Sequence, residues 1–346
     1  MSPPQNTVHF QDKQIEMAHG AGGEASRRLI EGLFEPAFSN PHLAALSDAA
    51  VLNLFSQRVA ITTDCYVVKP LQFPGGSIGE LAVNGTVNDL AVSGAKPVAL
   101  TASFVLEAGL GAEVLRQEVQ AMAKAARRAQ VPIVAGDTKV VEHGKADGMY
   151  VSTTGLGLVD ARTELGPERV QPGDRVILSG PIGAHGITIM IARAELELEA
   201  DIQSDTRALS PLVNALIDQV GPDLRWMRDA TRGGVATVLN ELARDTKLVV
   251  ELSEESIPVD NAVRGACELL GLDPLHVANE GQFIAIVANG RGDEAIEALR
   301  RVPGGEQARI VGEMCKGRVA RVVAKSAFGG TRIVDMLIGD PLPRIC

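Results

Sequence analysis

Carboxylates in this sequence stand where strands and helices should end, and that is where a metal ion or a phosphate can be held. In the first half the motifs are Leu46-Ser47-Asp48, Thr62-Thr63-Asp64, Asn88-Asp89-Leu90 and Gly136-Asp137-Thr138-Lys139. Mg2+ takes hard oxygen ligands, commonly one or two carboxylates completed by water and phosphate oxygens, so Asp48, Asp64, Asp89 and Asp137 are candidate metal ligands. Taken singly, each fits a plainer role better: Asp48 and Asp64 terminate strands, and Asp89, inside a helical segment, faces solvent. Asp137 follows an apolar run and Gly136, the strand-end location where ligands collect in α/β sheets. Lys139 nearby offers a point charge for phosphate, or is a surface lysine with its stem laid on apolar neighbours.

In the second half, Arg228-Asp229-Ala230-Thr231-Arg232-Gly233-Gly234 places Asp229 and Arg232 on a glycine-rich turn entering a helix. Asp229 there could point into a cleft or simply cap the helix with Thr231. Glu280, in Ala278-Asn279-Glu280-Gly281-Gln282, precedes a strand. The segment 179–186 reads as a backbone nest for an anion or as a glycine-rich turn. Cys346 has the weakest packing role, because Pro341 and Pro343 bar a helix just before it. A thiol on an extended, mobile arm can enter an active site as substrate; Cys65, Cys267 and Cys315 lie in element-like contexts and are assigned to packing.

The elements that must position these groups alternate between strand and helix. A glycine-rich turn at 20–23 precedes a helix over 24–34, and strands follow at 51–54 and 59–63. A helix over 77–93 opens on a capping box, Ser77 with Glu80, and further strands fall at 97–106, 131–135 and 149–159 around a periodic helix at 112–129. The stretch 162–174 has the Pro and Gly content of a linker, and strand and helix signals resume beyond it. The expected organisation is an α/β domain over 1–161, a second over 162–334 and a flexible tail over 335–346.

The chain has 346 residues, 45% hydrophobic and 22% charged, which suits two folded domains. Its net charge of −10 argues against nucleic acid and anionic membranes as partners. The four cysteines form no C-x-x-C pair, so a structural zinc site is not expected, and neither a signal peptide nor a membrane span is evident. A soluble cytoplasmic protein is expected. No G-x-x-x-x-G-K-[ST], kinase set or G-x-G-x-x-G is present.

Joined to His19-Gly20-Ala21-Gly22-Gly23, the run 84–95 and Pro343-Arg344-Ile345-Cys346, these motifs make the sequence resemble the HypE family of hydrogenase expression/formation proteins. That family belongs with aminoimidazole ribonucleotide synthetase, selenophosphate synthetase and thiamine-monophosphate kinase. The resemblance covers essentially the whole chain; the first motifs are shared across the superfamily, whereas the terminal Pro-Arg-Ile-Cys is specific to the family. It implies a two-domain PurM-like fold whose N-terminal domains pair into a β-barrel in a homodimer, with ATP and Mg2+ near that interface. It also implies carbamoylation of Cys346 by a carbamoyltransferase, HypF, and ATP-dependent dehydration of that group to a thiocyanate. The cyano group then passes to a HypC–HypD complex assembling a [NiFe]-hydrogenase.

The roles implied are metal and phosphate binding by Asp48, Asp64, Asp89 and Asp137, with Asn88 and Gly136 in the same ATP-site motifs. Lys139 would neutralise charge in phosphoryl transfer, Glu280 would take a proton from the carbamoyl nitrogen, and Asp229, Arg232 and Asn279 would position tail or phosphate. One departure stands out: the family often reads Gly-Asp-His-Gly where this chain has Gly183-Ala184-His185-Gly186, so no carboxylate acts there. Two rival readings are a superfamily synthetase acting on a free small molecule and a non-catalytic scaffold that uses the tail for docking. A reactive cysteine beside the N-terminal glycine turn would favour a selenophosphate synthetase, and the first cysteine is Cys65. Loss of partner binding in Cys346→Ser would favour the scaffold.

Overall fold

A computed structural model of the chain describes residues 10–346 other than 14, 21–22, 39, 41, 43–45, 55, 194–199 and 338–343. Part of the glycine-rich turn expected at 20–23 and the middle of the tail expected at 335–346 therefore lie outside the described residues. The first half holds strands β1 (Ala50–Leu54), β2 (Gln57–Tyr66), β3 (Ala95–Glu107), β4 (Ile133–Val141) and β5 (Met149–Val159), with helices α1 (Ile78–Val92) and α2 (Ala112–Arg128). The strands form one sheet in the order β1-β2-β5-β3-β4. β3 and β4 run parallel, joined through α2, and the other pairs are antiparallel.

Helix α1 lies between this sheet and the second half, and nearly every residue along it is buried. Its sequence, Ile-Gly-Glu-Leu-Ala-Val-Asn-Gly-Thr-Val-Asn-Asp-Leu-Ala-Val, accordingly shows no polar face. The expected capping box is not formed. Ser77 is extended and its buried Oγ has no partner among the described residues, while Glu80 pairs with Arg128 on α2. The helix start is served instead by Glu118 of α2, whose Oε2 accepts the Gly79 N–H at 3.1 Å. A carboxylate there satisfies an orphan donor and complements the helix dipole.

The second half holds β6 (Arg175–Leu178), β7 (Leu224–Asp229), β8 (Val249–Ser253), β9 (Phe283–Val287), β10 (Arg309–Cys315), β11 (Arg321–Lys325) and β12 (Thr331–Val334). Helices α3 (Ala184–Ala192), α4 (Ser210–Val220), α5 (Gly234–Thr246), α6 (Asn261–Leu270) and α7 (Gly292–Arg300) pack around them. The sheet order is β12-β11-β8-β10-β6-β9-β7. β9 is buried along its whole length, with alternate side chains feeding two cores, one against α4 and α7 and one against α5. β7 and β12 escape sequence expectation because Arg225, Arg228, Thr331 and Arg332 dilute their apolar character.

Glycine tightness differs sharply between the helices. A Cβ on Gly79 would meet the Glu118 carbonyl oxygen at 2.3 Å, whereas one on Gly265 of α6 would meet nothing within 4 Å. Gly79→Ala is expected to destabilise the fold by about 1–3 kcal/mol, and Gly265→Ala to stabilise it by about 1 kcal/mol, as read by urea unfolding.

Candidate active site

Alternation along β2 sends Thr62, Asp64 and Tyr66 toward α1, and the side chains of Thr86 and Asp89, one helical turn apart, meet them. Thr62 Oγ1 donates to Asp89 Oδ2 at 2.7 Å, and Thr86 Oγ1 donates to Asp64 Oδ2 at 2.9 Å. Asp89 therefore does not face solvent. Asp229 is the last residue of β7, and the turn after it ends on Gly233, the residue before α5, in the left-handed region. The capping role weighed for Asp229 is thus taken by no side chain, and the carboxylate is buried instead. Asp48 accepts from Arg228 Nε at 2.7 Å, and the same guanidinium reaches Glu241 at 2.7 Å and the Leu46 carbonyl at 3.0 Å.

The electrostatics of this cluster are dominated by burial. Burial raises the proton affinities of Asp48, Asp64, Asp89, Asp229 and Glu280; repulsion from neighbouring carboxylates adds to it at Asp64, Asp89, Asp229 and Glu280, whereas Arg228 opposes it at Asp48. Asp89, Asp229 and Glu280 are held well above the usual carboxylate range. Arg232, an exposed residue, lies in the field of Cys346, Glu280 and Asp64 and offsets part of this. Such a set of oxygen donors short of cations fits a divalent metal. Among the described residues no three metal-ligating side chains converge, but Mg2+ bound with a nucleotide needs only one or two carboxylates.

Two amides expected to touch cofactor or phosphate are otherwise engaged. Asn88 donates to the carbonyls of Arg207 at 2.9 Å and Glu280 at 3.1 Å, and its Oδ1 accepts the Leu209 N–H at 2.7 Å. Asn279 donates to Ala230 O at 2.8 Å and Val277 O at 3.1 Å, while its Oδ1 accepts the Gly183 N–H at 2.7 Å. Both shape the backbone around the site. The 179–186 segment is accordingly a turn, not an open nest, since the Gly186 N–H is also spent, on the Ala278 carbonyl at 3.1 Å. Ala184 begins α3 and packs against apolar neighbours.

Asp137 and Lys139 stand apart from the cluster within one chain. They lie inside β4, which runs on to Val141 instead of ending near residue 135. Register places Asp137 beside Ser103, Ser152 and Cys65, a row on the open face of the sheet. Asp64 belongs to the neighbouring row with Thr153, Ala102 and Gly136, which faces α1. One residue of displacement therefore puts Asp137 on the opposite face from Asp64. Asp137 and Lys139 are 63% and 72% exposed and pair at 3.0 Å. The same face exposes Cys65, contrary to the packing role expected; Cys267 is buried and Cys315 intermediate. Gly136 is a close-approach position, where a Cβ would meet the Ala102 carbonyl at 2.4 Å.

The last three residues are seated in the molecule, not loose. Val67 N–H donates to Cys346 O at 3.0 Å, Lys69 N–H to Arg344 O at 3.4 Å, and Arg344 Nη1 to Asp147 at 2.7 Å. Ile345 is buried in the core that includes Tyr66, Ile187 and Val277. Burial and the nearby Glu280, Asp64 and Asp229 push the Cys346 thiol up to about 12, against the opposing pull of Arg232. Sequence reasoning missed Tyr66, Thr86, Asp205, Arg228 and His185; Thr86, Arg228 and His185 lie inside segments it singles out, whereas Tyr66 and Asp205 do not.

Both halves match the family of AIR synthase related proteins, its N-terminal domain over residues 46–159 and its C-terminal domain over 171–325. The fold and the buried carboxylate site thus define a two-domain protein of the mixed α/β PurM-like class. The chain is 50% identical to the carbamoyl dehydratase HypE of Azotobacter vinelandii, over 98% of this chain and 99% of that protein. A crystal structure of a HypE–HypF complex superposes with a TM-score of 0.85 at 42% identity, covering 89% of this chain and 99% of that one. HypE in complex with ATP superposes with a TM-score of 0.80 at 45% identity, covering 95% of this chain and 99% of that one. The chain belongs to the HypE family of carbamoyl dehydratases. Among the described residues no helix is long and apolar enough to cross a membrane.

Asp89 gives the clearest pH test of the cluster. Its folded-state proton affinity is raised above the ordinary value of 3.8, so its cost is absent below that pH and grows as pH rises through and beyond it. Asp89→Asn should be more stable than the parent at pH 7.5 by about 0.5–2 kcal/mol, and the gain should vanish as pH falls toward the unfolded value, measured by thermal melts without nucleotide or divalent cation.

Proposed function

We propose that this chain dehydrates a carbamoyl group carried on its own Cys346 to a thiocyanate, consuming ATP. The observation that carries this reading is the seating of the chain's last residues, with Cys346 O accepting the Val67 N–H at 3.0 Å, Ile345 buried in the core, and Cys346 in the field of Arg232, Glu280, Asp64 and Asp229. Relatives named carbamoyl dehydratase, and one solved with ATP, support it. The amide oxygen of S–C(=O)–NH2 is a poor leaving group. Attack of that oxygen on the γ-phosphorus of ATP expels ADP and leaves a protonated O-phosphoryl imidate that still carries both nitrogen protons. Loss of two nitrogen protons and of phosphate then gives S–C≡N, the water oxygen ending in phosphate.

Glu280 suits the removal of a nitrogen proton, because burial raises its proton affinity and Arg232 favours the ionised form needed to act as base. Arg232 also meets charge developing on the transferred phosphoryl group. One or two of Asp48, Asp64, Asp89 and Asp229 would hold Mg2+ with the nucleotide, water and phosphate oxygens completing its shell. Bound there, Mg2+ would neutralise phosphate charge and polarise the γ-phosphorus. Asp137 and Lys139 would join this chemistry from the open face once a second subunit covers it. A homodimer with a shared barrel is supported by that face, which exposes Leu156 and Leu158 together with Thr63, Ser103 and Cys65. HypF would load the carbamoyl group and a HypC–HypD complex would accept the cyano group, in the cytoplasm.

Intact mass after incubation with carbamoyl donor and MgATP should show a gain of about 25 Da on Cys346; no ATP-dependent adduct on that cysteine would overturn the reading. Glu280→Gln should stall at the carbamoyl adduct with the dehydration rate lowered about 10²–10⁴-fold. Leu156→Glu with Leu158→Glu should convert dimer to monomer in sedimentation velocity, since charges on this face cannot be desolvated.

A further inference from the structure

His185 is fully buried at the start of α3, and its ring bridges the tail to the loop facing Glu280. Nε2 lies 2.6 Å from the Ile345 carbonyl oxygen, and Nδ1 lies 2.7 Å from Ser204 Oγ. A carbonyl only accepts, so Nε2 carries the hydrogen. In the neutral ring Nδ1 is then the acceptor and the Ser204 hydroxyl donates to it. Ser204 Oγ accepts in turn from the Thr206 N–H at 3.1 Å, so its hydroxyl is aimed. The Phe73 ring meets the imidazole edge-on, with centroids 5.6 Å apart, and fixes its plane. Burial lowers the proton affinity of His185, in keeping with a neutral ring.

The residue after Ser204 completes the connection. The half-buried carboxyl of Asp205 accepts the backbone N–H groups of Glu280 at 3.1 Å and Gly281 at 3.2 Å. Arg207 holds the same loop by donating to the Gly281 carbonyl at 3.0 Å. One short segment therefore grips the imidazole that holds the tail and the backbone that carries the base. None of these groups is placed in the chemical steps above.

We propose that His185 is a positioning residue of the dehydration: it latches the tail through the Ile345 carbonyl and, through Ser204 and Asp205, sets Cys346 in register with Glu280. This rests on the reaction proposed above, but the latch can be read without it. The test labels the full-length protein with iodoacetamide and follows each cysteine by peptide mapping, Cys65 reporting an exposed thiol and Cys267 a buried one. In the parent Cys346 should react far more slowly than Cys65. In His185→Leu its labelling should rise about tenfold, the scale of one lost hydrogen bond and the orphaned carbonyl, while Cys267 stays protected. His185→Gln, whose amide N–H can still reach Ile345, should retain most of the protection. With the carbamoylated chain, His185→Leu should lower kcat for dehydration without raising the KM for ATP, and His185→Gln should restore part of it.

Unchanged Cys346 labelling in His185→Leu with Cys267 protected overturns the latch. If that variant exposes Cys267, Ser204→Ala decides: a rise in Cys346 labelling supports the proposal, and parental labelling overturns it. Labelling as expected in a chain that never dehydrates its carbamoyl group would refute the reaction and leave the latch standing.

Discussion

Everything in the site hangs on the side chain of Asn88. Its three hydrogen bonds run from the buried helix of the first half to the backbone of Arg207, Leu209 and Glu280 in the second. Each is a neutral bond contributing about 1 kcal/mol net, but an unsatisfied buried amide or carbonyl costs about 1–3 kcal/mol. The geometry is therefore enforced more by what breaking it would strand than by what making it gains. Because Asp89 is the next residue, the same brace fixes the carboxylates of the first half against Asp229 and Glu280 of the second. A helix in this position cannot afford a polar face, which is why α1 is apolar nearly all round while its few polar side chains point at named partners.

The assembled site is electrostatically unfavourable by itself. Arg228 is largely committed to Asp48 and Glu241, so the repulsion among Asp64, Asp89 and Asp229 is compensated only in part, by the fields of Arg228 and Arg232. A fold selected for stability alone would replace such carboxylates with amides. Their retention is understandable if a cation and a polyphosphate complete the charge balance when bound, so that binding gains what folding gave up.

Much of the architecture was legible in the sequence, because the strand and helix periods of β5, α4 and α6 carry their own signals. The failures have local physical causes. Ser77 and Glu80 satisfied the capping pattern, yet Glu118, distant in sequence, took the donor. Motif chemistry groups Asp137 with Asp64, but the two-residue period of the sheet turns it to the other face. Motif chemistry makes Asn88 and Asn279 ligand contacts, but backbone carbonyls brought near by folding use their amide hydrogens. β7 was hidden by Arg225 and Arg228, the second of which is a charge the site requires. The roles of His185 and Asp205 have no sequence signal, although His185 lies in a segment with one, because they depend on contacts between segments far apart in the chain.

The raised proton affinity of the seated thiol bears on which bond breaks. An O-phosphoryl imidate on sulfur has two groups that can depart: phosphate, leaving a nitrile on sulfur, or thiolate, releasing the carbon. A medium that holds the Cys346 thiol at about 12 makes the thiolate a poorer leaving group than it is in water. Expelled phosphate would meet Arg232, whereas an expelled thiolate would face burial and the carboxylates of Glu280, Asp64 and Asp229. In the proposed reaction a pocket that disfavours the cysteine as an anion would favour cleavage of C–O over C–S, because the desolvation that raises the proton affinity of the thiol also opposes a departing thiolate.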